Sequence, residues 1–410
     1  MGSHDVPPVA EKVLLMKALI FTSLYPNNVS PQLGIFIKER MTHFARLKNC
    51  QAKVVAPVPY YPPIKLGSRW KFSQVARYEV RDGLDVYHPR YFMTPKIGMS
   101  LYGVAMFLSV LPTVRRIQRS FDFDVIDSHF VYPDGFAAVL LGKVLRKPVV
   151  VSARGTDMNL YPNMPLIRSM LRFTLTRAHR AIAVCEALGA AISQLGIGKD
   201  KIVVIPNGVD TEKFKPIPKQ EARAKLNLPA AAKVVLSVGG LIPRKGVDLV
   251  IKAVKTIRDS SGLDLHYVIV GEGSYRRELE LLTSSLGLAD CVHFCGEVAH
   301  YQLHVWYSAA DIFCLASSRE GWPNVILESM ACGTPVVATN VWGNPEIIQS
   351  DQVGLLTERN EHLIARTLLK GLNTEWEAAT IREYACQHTW DRAAQSVLDV
   401  FRIAVEDTSR

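Results

Sequence analysis

The sequence predicts an α/β protein of two domains, each built on a parallel, doubly wound sheet. Its 410 residues exceed one typical domain and fit two. Short apolar segments alternate with longer helical patterns, the rhythm of strand–helix–strand units. A new buried-type strand at 233–239 follows a polar, Pro-containing segment at 214–218, as expected where a second sheet starts. We therefore expect two domains facing each other across a cleft, with ligands outside the carboxyl ends of the strands.

Apolar runs bounded by turn residues mark the strands of both halves. In the first half they are predicted at 17–24, 52–57, 78–88, 125–127, 149–153, 181–185 and 202–205. In the second half they are predicted at 233–239, 265–270, 292–294, 311–315 and 336–338. Helical patterns include 35–47, 166–180, 247–258, 325–331 and 388–403.

These elements divide the chain into four sections. We expect an extension or expression tag, a first Rossmann-like domain, a second Rossmann-like domain and a C-terminal helix, over 1–15, 16–200, 201–387 and 388–410. Met16 is a plausible native start, because the chain begins M-G-S-H and its first predicted strand follows only after Leu15.

Charge is distributed unevenly. The first 190 residues hold 25 Lys and Arg against 12 Asp and Glu, whereas the rest of the chain is slightly acidic. The uncharged stretch 97–114 is followed by Arg115, Arg116 and Arg119. Gly and Pro interrupt it, so we expect a helix that is buried or lies on a membrane surface rather than one that crosses. A peripheral contact with an anionic membrane fits this half. Nucleic acid is not expected, because its usual motifs are missing from the sequence.

The seven cysteines are scattered and form no C-x-x-C pair. We expect free thiols in a reducing cytoplasm. Cys291 and Cys295 are four residues apart, but no second pair at zinc-site spacing accompanies them, so no metal site is expected. Asp122-Phe123-Asp124 matches a metal-binding D-x-D only by its letters and is predicted to lead into a strand.

The most informative stretch is 319–339, R-E-G-W-P-N-V-I-L-E-S-M-A-C-G-T-P-V-V-A-T. Pro323 fits the first turn of a helix that begins near Asn324, and the free N–H groups of that helix would form an anion site. Glu320 before the helix and Glu328 within it would repel phosphate, so we expect them to accept hydrogen bonds from hydroxyls. We therefore expect a ligand that carries both phosphate and hydroxyls, and a nucleotide sugar is the simplest such ligand.

Glu320, seven further residues and Glu328, followed by Ala331-Cys-Gly-Thr-Pro-Val-Val337, resemble the signature of the family-four retaining glycosyltransferases of the GT-B fold. The resemblance covers about residues 16 to 400. It implies two Rossmann-like domains and a C-terminal helix that crosses back onto the first. It also implies that Glu328 accepts from the ribose hydroxyls of the donor and Glu320 from its sugar hydroxyls.

Arg244 and Lys245 lie in a Gly-flanked loop between a strand and a helix. Cations there can meet a diphosphate where its charge grows as the glycosidic bond breaks, without a metal. The resemblance matches the same pair to the family's diphosphate-binding residues. The full set of expected donor-binding residues is Gly34, Gly240, Arg244, Lys245, Glu272, Gly273, Glu320, Asn324, Val325 and Glu328.

His129 follows a predicted strand, and the resemblance matches it to a His that contacts the transferred sugar in the cleft. We expect it to act in catalysis with Arg244, Lys245 and Glu320. Tyr132, Arg154 and Asp157 are expected on the acceptor side. Arg154 stands where the family commonly has His in an H-G-x-D pattern, which would suit an anionic acceptor.

The expected function is metal-independent, cofactor-free, retaining transfer of a sugar from a nucleotide sugar, UDP-linked by preference and GDP-mannose next. The acceptor would be a saccharide, a lipid-linked saccharide or a phosphorylated group in polysaccharide, glycolipid or envelope synthesis. The expected location is the cytoplasm, either free or peripheral on the inner face of the membrane. Two alternatives are a nucleotide-sugar epimerase of the same fold, which would need further acid–base carboxylates, and a scaffold that binds sugar nucleotides without transfer.

Overall fold

A computed structural model describes residues 15–65, 68–93 and 98–409 of the chain. Apart from Leu15, the expected extension over 1–15 lies outside the described residues, as does Ile97 at the start of the uncharged stretch.

The first half of the chain alternates strands and helices as expected. Its elements are β1 (Met16–Phe21), α1 (Ile35–Arg46), β2 (Cys50–Val55), β3 (Val58–Pro59), β4 (Tyr78–Arg81), β5 (Leu84–Tyr87), β6 (Arg90–Tyr91), α2 (Tyr102–Ser120), β7 (Val125–His129), α3 (Phe136–Leu145), β8 (Val149–Ala153), α4 (Thr156–Asn159), α5 (Pro165–Arg177), β9 (Arg180–Ala183), α6 (Glu186–Ser193) and β10 (Ile202–Val204).

The second half repeats this rhythm. Its elements are α7 (Lys219–Lys225), β11 (Lys233–Val238), α8 (Val247–Ser261), β12 (Leu265–Val270), α9 (Arg276–Ser285), β13 (Val292–Phe294), α10 (Leu303–Ala309), β14 (Ile312–Leu315), α11 (Asn324–Ala331), β15 (Val336–Thr339), α12 (Asn344–Ile347), β16 (Gly354–Thr357), α13 (Glu361–Leu372), α14 (Ala378–Cys386) and α15 (Trp390–Ser409).

The first sheet has the strand order β10-β9-β8-β7-β1-β2-β5-β4. Neighbouring strands are parallel except β4 and β5, which form an antiparallel hairpin at the edge. The single strand predicted over 78–88 is therefore wrong. Asp82 and Gly83 both have positive φ and form the turn, a two-residue Asp-Gly signal that the alternating pattern hid.

The second sheet has the order β13-β12-β11-β14-β15-β16 and is parallel throughout. Its strands are short apolar runs because both faces are covered by helices. The strand β16 was not predicted, since Gly354-Leu-Leu-Thr357 is a short segment with little apolar length. In each sheet the chain adds strands on one side of the first strand (β1 or β11) and then continues on its other side, at β7 or β14. This reversal of strand order confirms two doubly wound domains.

The C-terminal helix returns to the first half. α15 packs along α1, with the Phe44 and Phe401 rings in an edge contact at a centroid distance of 5.3 Å. Arg180 of β9 also forms an ion pair with Asp407 near the end of α15. The crossing helix of the predicted fold class is therefore present.

The uncharged stretch forms most of α2, an amphipathic helix. Met106, Val110 and Val114 are buried, whereas Leu101 before the helix and Leu108 on it are 65% and 62% exposed. Within the described parts of the chain, no helix has the length and apolar character needed to cross a membrane.

Candidate active site

The loop after β11 brings Arg244 and Lys245 to the carboxyl edge of the second sheet. Gly246 ends the loop in a left-handed conformation (φ 68°), and a Cβ there would lie 2.2 Å from the Ala316 carbonyl oxygen. Only glycine allows the loop to pass so close to the end of β14. The amide of Ser318 donates to the Arg244 carbonyl (2.9 Å), which joins this loop to the segment carrying Glu320.

Glu320 lies between the two cations. Its Oε1 is 2.6 Å from Lys245 Nζ and 3.2 Å from Arg244 Nη1. Burial alone would raise the pKa of Glu320, but Lys245 and Arg244 outweigh that effect and lower it below its ordinary value. The cluster is thus two cations around one ionised carboxylate, with a net positive charge. These three predicted residues are brought together by the fold.

The helix α11 begins next to this cluster. The helix begins at Asn324, as predicted, but Pro323 occupies the N-cap in an extended conformation and not the first turn. The first backbone N–H groups of a helix have no acceptor within it, so those of Asn324 and Val325 are available to an anion. The Asn324 Oδ1 accepts a hydrogen bond from Asn207 Nδ2 at 3.0 Å.

Glu328 lies on the same helix and is 5% exposed. Its two carboxylate oxygens are 2.9 Å from His300 Nε2 and 3.0 Å from the Tyr307 hydroxyl. The Phe214 ring makes edge contacts with both of these partners. His300 and Tyr307 were missed by the sequence analysis, because neither lies in a recognisable motif and both reach Glu328 only through tertiary packing.

Gly240, Glu272 and Gly273 lie on two adjacent loops of the second sheet. The Leu241 amide donates to the Glu272 carbonyl (2.9 Å), and a Cβ on Gly273 would lie 2.1 Å from the Leu241 carbonyl oxygen. The Glu272 carboxylate forms an ion pair with Arg276. A small cavity at the carboxyl ends of β11, β12 and β14 is lined by Gly240 and Lys245 among others.

Gly34 lies in the first half, in the loop between β1 and α1. It is the N-cap of α1 with φ 65°, and a Cβ there would lie 2.2 Å from the Leu24 carbonyl oxygen. The glycine is thus required by the turn between β1 and α1.

His129 ends β7 but is fully buried, which contradicts the expectation that its side chain faces an open cleft. Its Nδ1 is 2.5 Å from Arg154 Nη2 and its Nε2 is 3.1 Å from Asp127 Oδ2. A guanidinium can only donate, so Nδ1 accepts and the ring proton lies on Nε2, towards Asp127. Burial lowers the pKa of His129 to about 4, so the ring is neutral at pH 7.

Asp157 and Tyr132 are also fully buried, so neither side chain lies on the cleft surface as an acceptor-side residue. The Asp157 carboxylate accepts from the backbone amides of Val131, Arg154 and Gly155. Burial raises the pKa of Asp157 despite these bonds. The Tyr132 hydroxyl donates to the Met99 carbonyl oxygen. Both residues fix the loops that hold His129 and Arg154.

Arg154 is the residue that joins the two halves of this network. Its Nη1 donates to Asn207 Oδ1 at 3.0 Å, and the fully buried Arg40 donates to the same oxygen at 3.1 Å. Asn207 in turn reaches Asn324 at the start of α11, as described above. Arg40 and Asn207 were not among the predicted site residues, since a buried Arg on a helix carries no sequence signal of its own.

The two edges meet at a backbone contact. A Cβ on Gly321 would lie 2.3 Å from the Arg154 carbonyl oxygen and 3.4 Å from Gly155 Cα. The loop carrying Glu320 therefore touches the loop carrying Arg154 directly.

Among the described residues, Glu39, His43 and Asp210 form a group that could hold a metal ion. However, the Lys213 ammonium lies 2.7 Å from Glu39 Oε1 and 3.6 Å from Asp210 Oδ2. Lys213 already supplies the positive charge between these carboxylates, so the donor set does not fit a cation.

Two sequence families match the chain. The profile described as "Glycosyl transferases group 1" matches residues 218–388, and "Glycosyltransferase Family 4" matches residues 72–213. A Bacillus subtilis relative named for teichuronic acid biosynthesis, the glycosyltransferase TuaC, is 28% identical over 383 residues, which is 92% of this chain and 90% of the relative. A Mycobacterium tuberculosis relative is 31% identical and is aligned over 62% of this chain and 69% of its own. It is named a GDP-mannose-dependent alpha-(1-6)-phosphatidylinositol monomannoside mannosyltransferase.

Solved structures agree on the fold. Sucrose-phosphate synthase from Thermosynechococcus elongatus superposes with a TM-score of 0.75 at 20% identity, covering 94% of this chain and 98% of its own. Anabaena HepE in complex with UDP and glucose superposes with a TM-score of 0.72 at 21% identity, covering 94% and 99%. The two matched profiles, the relatives and the two sheets described above all indicate the same family. The chain therefore belongs to the family-four, group 1 glycosyltransferases and is a glycosyltransferase of the GT-B fold.

Proposed function

We propose that this glycosyltransferase moves a sugar from a nucleoside diphosphate sugar to its acceptor with retention of configuration and without a metal ion. The observation that carries the proposal is the cluster of Arg244, Lys245 and Glu320 beside the N-terminus of α11. Two cations and free helix N–H groups suit a diphosphate, and the carboxylates suit hydroxyls.

The donor would lie along the second sheet. Its diphosphate would lie between Arg244, Lys245 and the first turn of α11, and its ribose hydroxyls would donate to Glu328. Glu328 is already held in place by His300 and Tyr307, so it can accept without reorganising. A UDP-sugar is our preferred donor and GDP-mannose the next, the nucleotides that accompany HepE and the M. tuberculosis relative respectively.

In the transfer step, the bond between the sugar C1 and the diphosphate oxygen breaks. The acceptor hydroxyl oxygen forms the new bond to C1 on the same face, and its proton passes to the departing phosphate oxygen. Arg244 and Lys245 stabilise the negative charge that grows on that phosphate, a role that preorganised cations perform without a metal. The sugar hydroxyls would donate to Glu320.

The acceptor would enter from the first half, and we propose a saccharide, lipid-linked or phosphorylated acceptor in polysaccharide, glycolipid or envelope synthesis. The surface there supports a membrane contact. α2 and α5 contain no acidic residue, and they expose Leu108 and Leu166 together with basic side chains. The exposed basic residues of the two helices are Arg115, Arg116, Arg119, Arg168, Arg172 and Arg177. Apolar side chains beside cations favour an anionic lipid surface.

Calorimetric titration with UDP and GDP tests the donor site. One nucleotide should bind in the presence of EDTA, and Arg244→Ala, Lys245→Ala and Glu328→Ala should each weaken it. Arg366→Ala, an exposed Arg on α13, is the matched control. Binding that is indifferent to the three changes, or that needs a metal, would contradict the proposal. Tight binding without transfer to any acceptor would favour the scaffold alternative.

Sedimentation with vesicles tests the membrane contact. The protein should bind vesicles rich in anionic phospholipid and not neutral phosphatidylcholine vesicles. Arg115→Glu with Arg119→Glu should abolish this binding, whereas Arg366→Glu should not. Equal sedimentation of both variants would rule out α2 as the contact.

A further inference from the structure

The helix α6 of the first half lacks a local cap. Its N-cap is Cys185, and no side chain of its own segment caps it. Ser, Thr, Asp and Asn are the residues that normally satisfy the free N–H groups at this position, and cysteine is a poor substitute. The first two amides, those of Glu186 and Ala187, therefore need an acceptor from elsewhere.

That acceptor is Glu346, on α12 of the second half. Its Oε2 accepts from the Glu186 amide at 2.7 Å, and its Oε1 accepts from the Ala187 amide at 3.0 Å. Both oxygens are thus used by one helix end, where the helix dipole also favours negative charge. Since α6 follows β9 of the first sheet and α12 follows β15 of the second, this pair of bonds joins the two halves.

Close contacts through Gly343 and Gly321 connect this bond pair to the active site. A Cβ on Gly343, three residues before Glu346, would lie 2.0 Å from the Gly321 carbonyl oxygen and 3.3 Å from Cys185 Cβ. Gly321 in turn lies against the Arg154 carbonyl and directly follows Glu320. The contacts of Gly343 with Cys185 and of Gly321 with Arg154 cross between the halves, so they exist only while the two halves are held together.

We propose that Glu346 is a positioning residue for the transfer reaction. It caps α6 across the cleft and thereby holds the closed arrangement in which the Glu320 loop lies against Arg154 and Gly155. Without the Glu346 carboxylate, the helix end can be solvated by water instead, and the cost of separating the two halves falls. The role in transfer rests on the proposed function, whereas the role in holding the halves together does not.

The test compares Glu346→Ala and Glu346→Gln with Glu383→Ala, which removes an exposed glutamate from α14 of the same half. Small-angle X-ray scattering should give Glu346→Ala a larger radius of gyration than the wild type or the control. Hydrogen exchange should become faster at the α6 N-terminus and also at 154–157 and 319–323. Glu346→Gln should lie between, because its single amide oxygen can still accept a bond.

With a donor sugar of the nucleotide that binds, Glu346→Ala should lower the kcat of sugar transfer about tenfold, because the free energy of a lost helix cap corresponds to a change of that size. The nucleotide Kd should change less than about twofold. The Kd is spared because Arg244, Lys245 and Glu328 all lie on the second half. Faster exchange confined to α6, with unchanged scattering, would make Glu346 a local cap and overturn the proposal. Should no nucleotide bind, the scattering and exchange measurements still decide the matter, and the failure then lies with the proposed function.

Discussion

The Lys245 ammonium lies 2.6 Å from Glu320 Oε1, and the Arg244 guanidinium shares the same oxygen at 3.2 Å. The carboxylate that is proposed to bind the sugar therefore also neutralises part of the charge that is proposed to bind the diphosphate. Binding and transfer make opposite demands on Glu320.

Glu320→Gln separates these demands. Removing the carboxylate charge leaves both cations free, so UDP or GDP should bind about two- to tenfold more tightly at low salt. Transfer should nevertheless fall about 100-fold, because the contact to the sugar and the placement of the cations are both disturbed. Calorimetry and a transfer assay on the same preparation check this. Weaker nucleotide binding would show that Glu320 holds the cations in place rather than competing for them.

Glu328 has two partners, so its variants need a structural control. Tyr307→Phe removes one hydrogen bond and should cost about 1 kcal/mol of unfolding free energy while leaving the nucleotide Kd nearly unchanged. Glu328→Ala should both destabilise the protein by about 1–3 kcal/mol and abolish the ribose contact. Urea unfolding and calorimetry distinguish the two effects. If Tyr307→Phe weakened nucleotide binding as much as Glu328→Ala, the ribose assignment of Glu328 would fail.

Asp134 gives the fold a pH dependence of defined sign. Burial raises its pKa from 3.8 to about 7, although the amide and hydroxyl of Ser23 both donate to it. Between these values the folded chain keeps a proton that the unfolded chain has lost, so this group's contribution to stability falls as pH rises from about 4 to 7. Asp134→Asn should remove this pH-dependent contribution to the free energy of unfolding, which is on the order of 4 kcal/mol across this window.

His129 acts in the opposite direction. Its pKa is lowered from 6.5 to about 4, so the unfolded chain binds a proton that the folded chain does not, and stability falls as pH drops through this range. In the wild type the two slopes oppose each other. Asp134→Asn removes the opposing slope of Asp134, so urea unfolding at pH 4.5, 5.5 and 6.5 should show stability rising more steeply with pH than in the wild type. Adding His129→Gln should reduce that rise, and an unchanged rise in the double variant would mean that His129 titrates normally.

Gly321→Ala tests the contact between the two edges. The added methyl would meet the Arg154 carbonyl oxygen at 2.3 Å, so it should keep the halves apart and lower transfer at least about tenfold. The fold of each half should be little affected. Gly189→Ala, where the nearest heavy atom would be 3.4 Å away, is the matched control. Wild-type transfer by Gly321→Ala would show that the close contact is not needed for catalysis.

Tyr132→Phe tests whether this residue has any role in binding the acceptor. The hydroxyl is bonded to the Met99 carbonyl, so its loss should cost about 1 kcal/mol of stability and leave the acceptor KM unchanged. A several-fold rise in the acceptor KM with unchanged stability would instead support the direct contact expected from the sequence.

The sequence by itself determined the two-domain α/β architecture and the second-half site. Strand and helix periods are local, and so are the glycines and charges of the Arg244 loop and the helix start near Asn324. Such features can be recognised without knowing what packs against them. They led to Arg244, Lys245, Glu320 and Glu328, which the structure then places at one edge of one sheet.

Only the tertiary structure decided which polar side chains of the first half are buried and which partners they bond to. His129, Asp157 and Tyr132 follow strands as an exposed site residue would, yet each is buried and has an internal hydrogen-bond partner. Four further residues, Arg40, Asn207, His300 and Glu346, meet their partners across 28 to 167 residues of chain, as the bonds of His300 to Glu328 and of Arg40 to Asn207 illustrate. Buried polar contacts of this kind depend on which side chains the fold brings together, and a one-dimensional pattern carries no record of that.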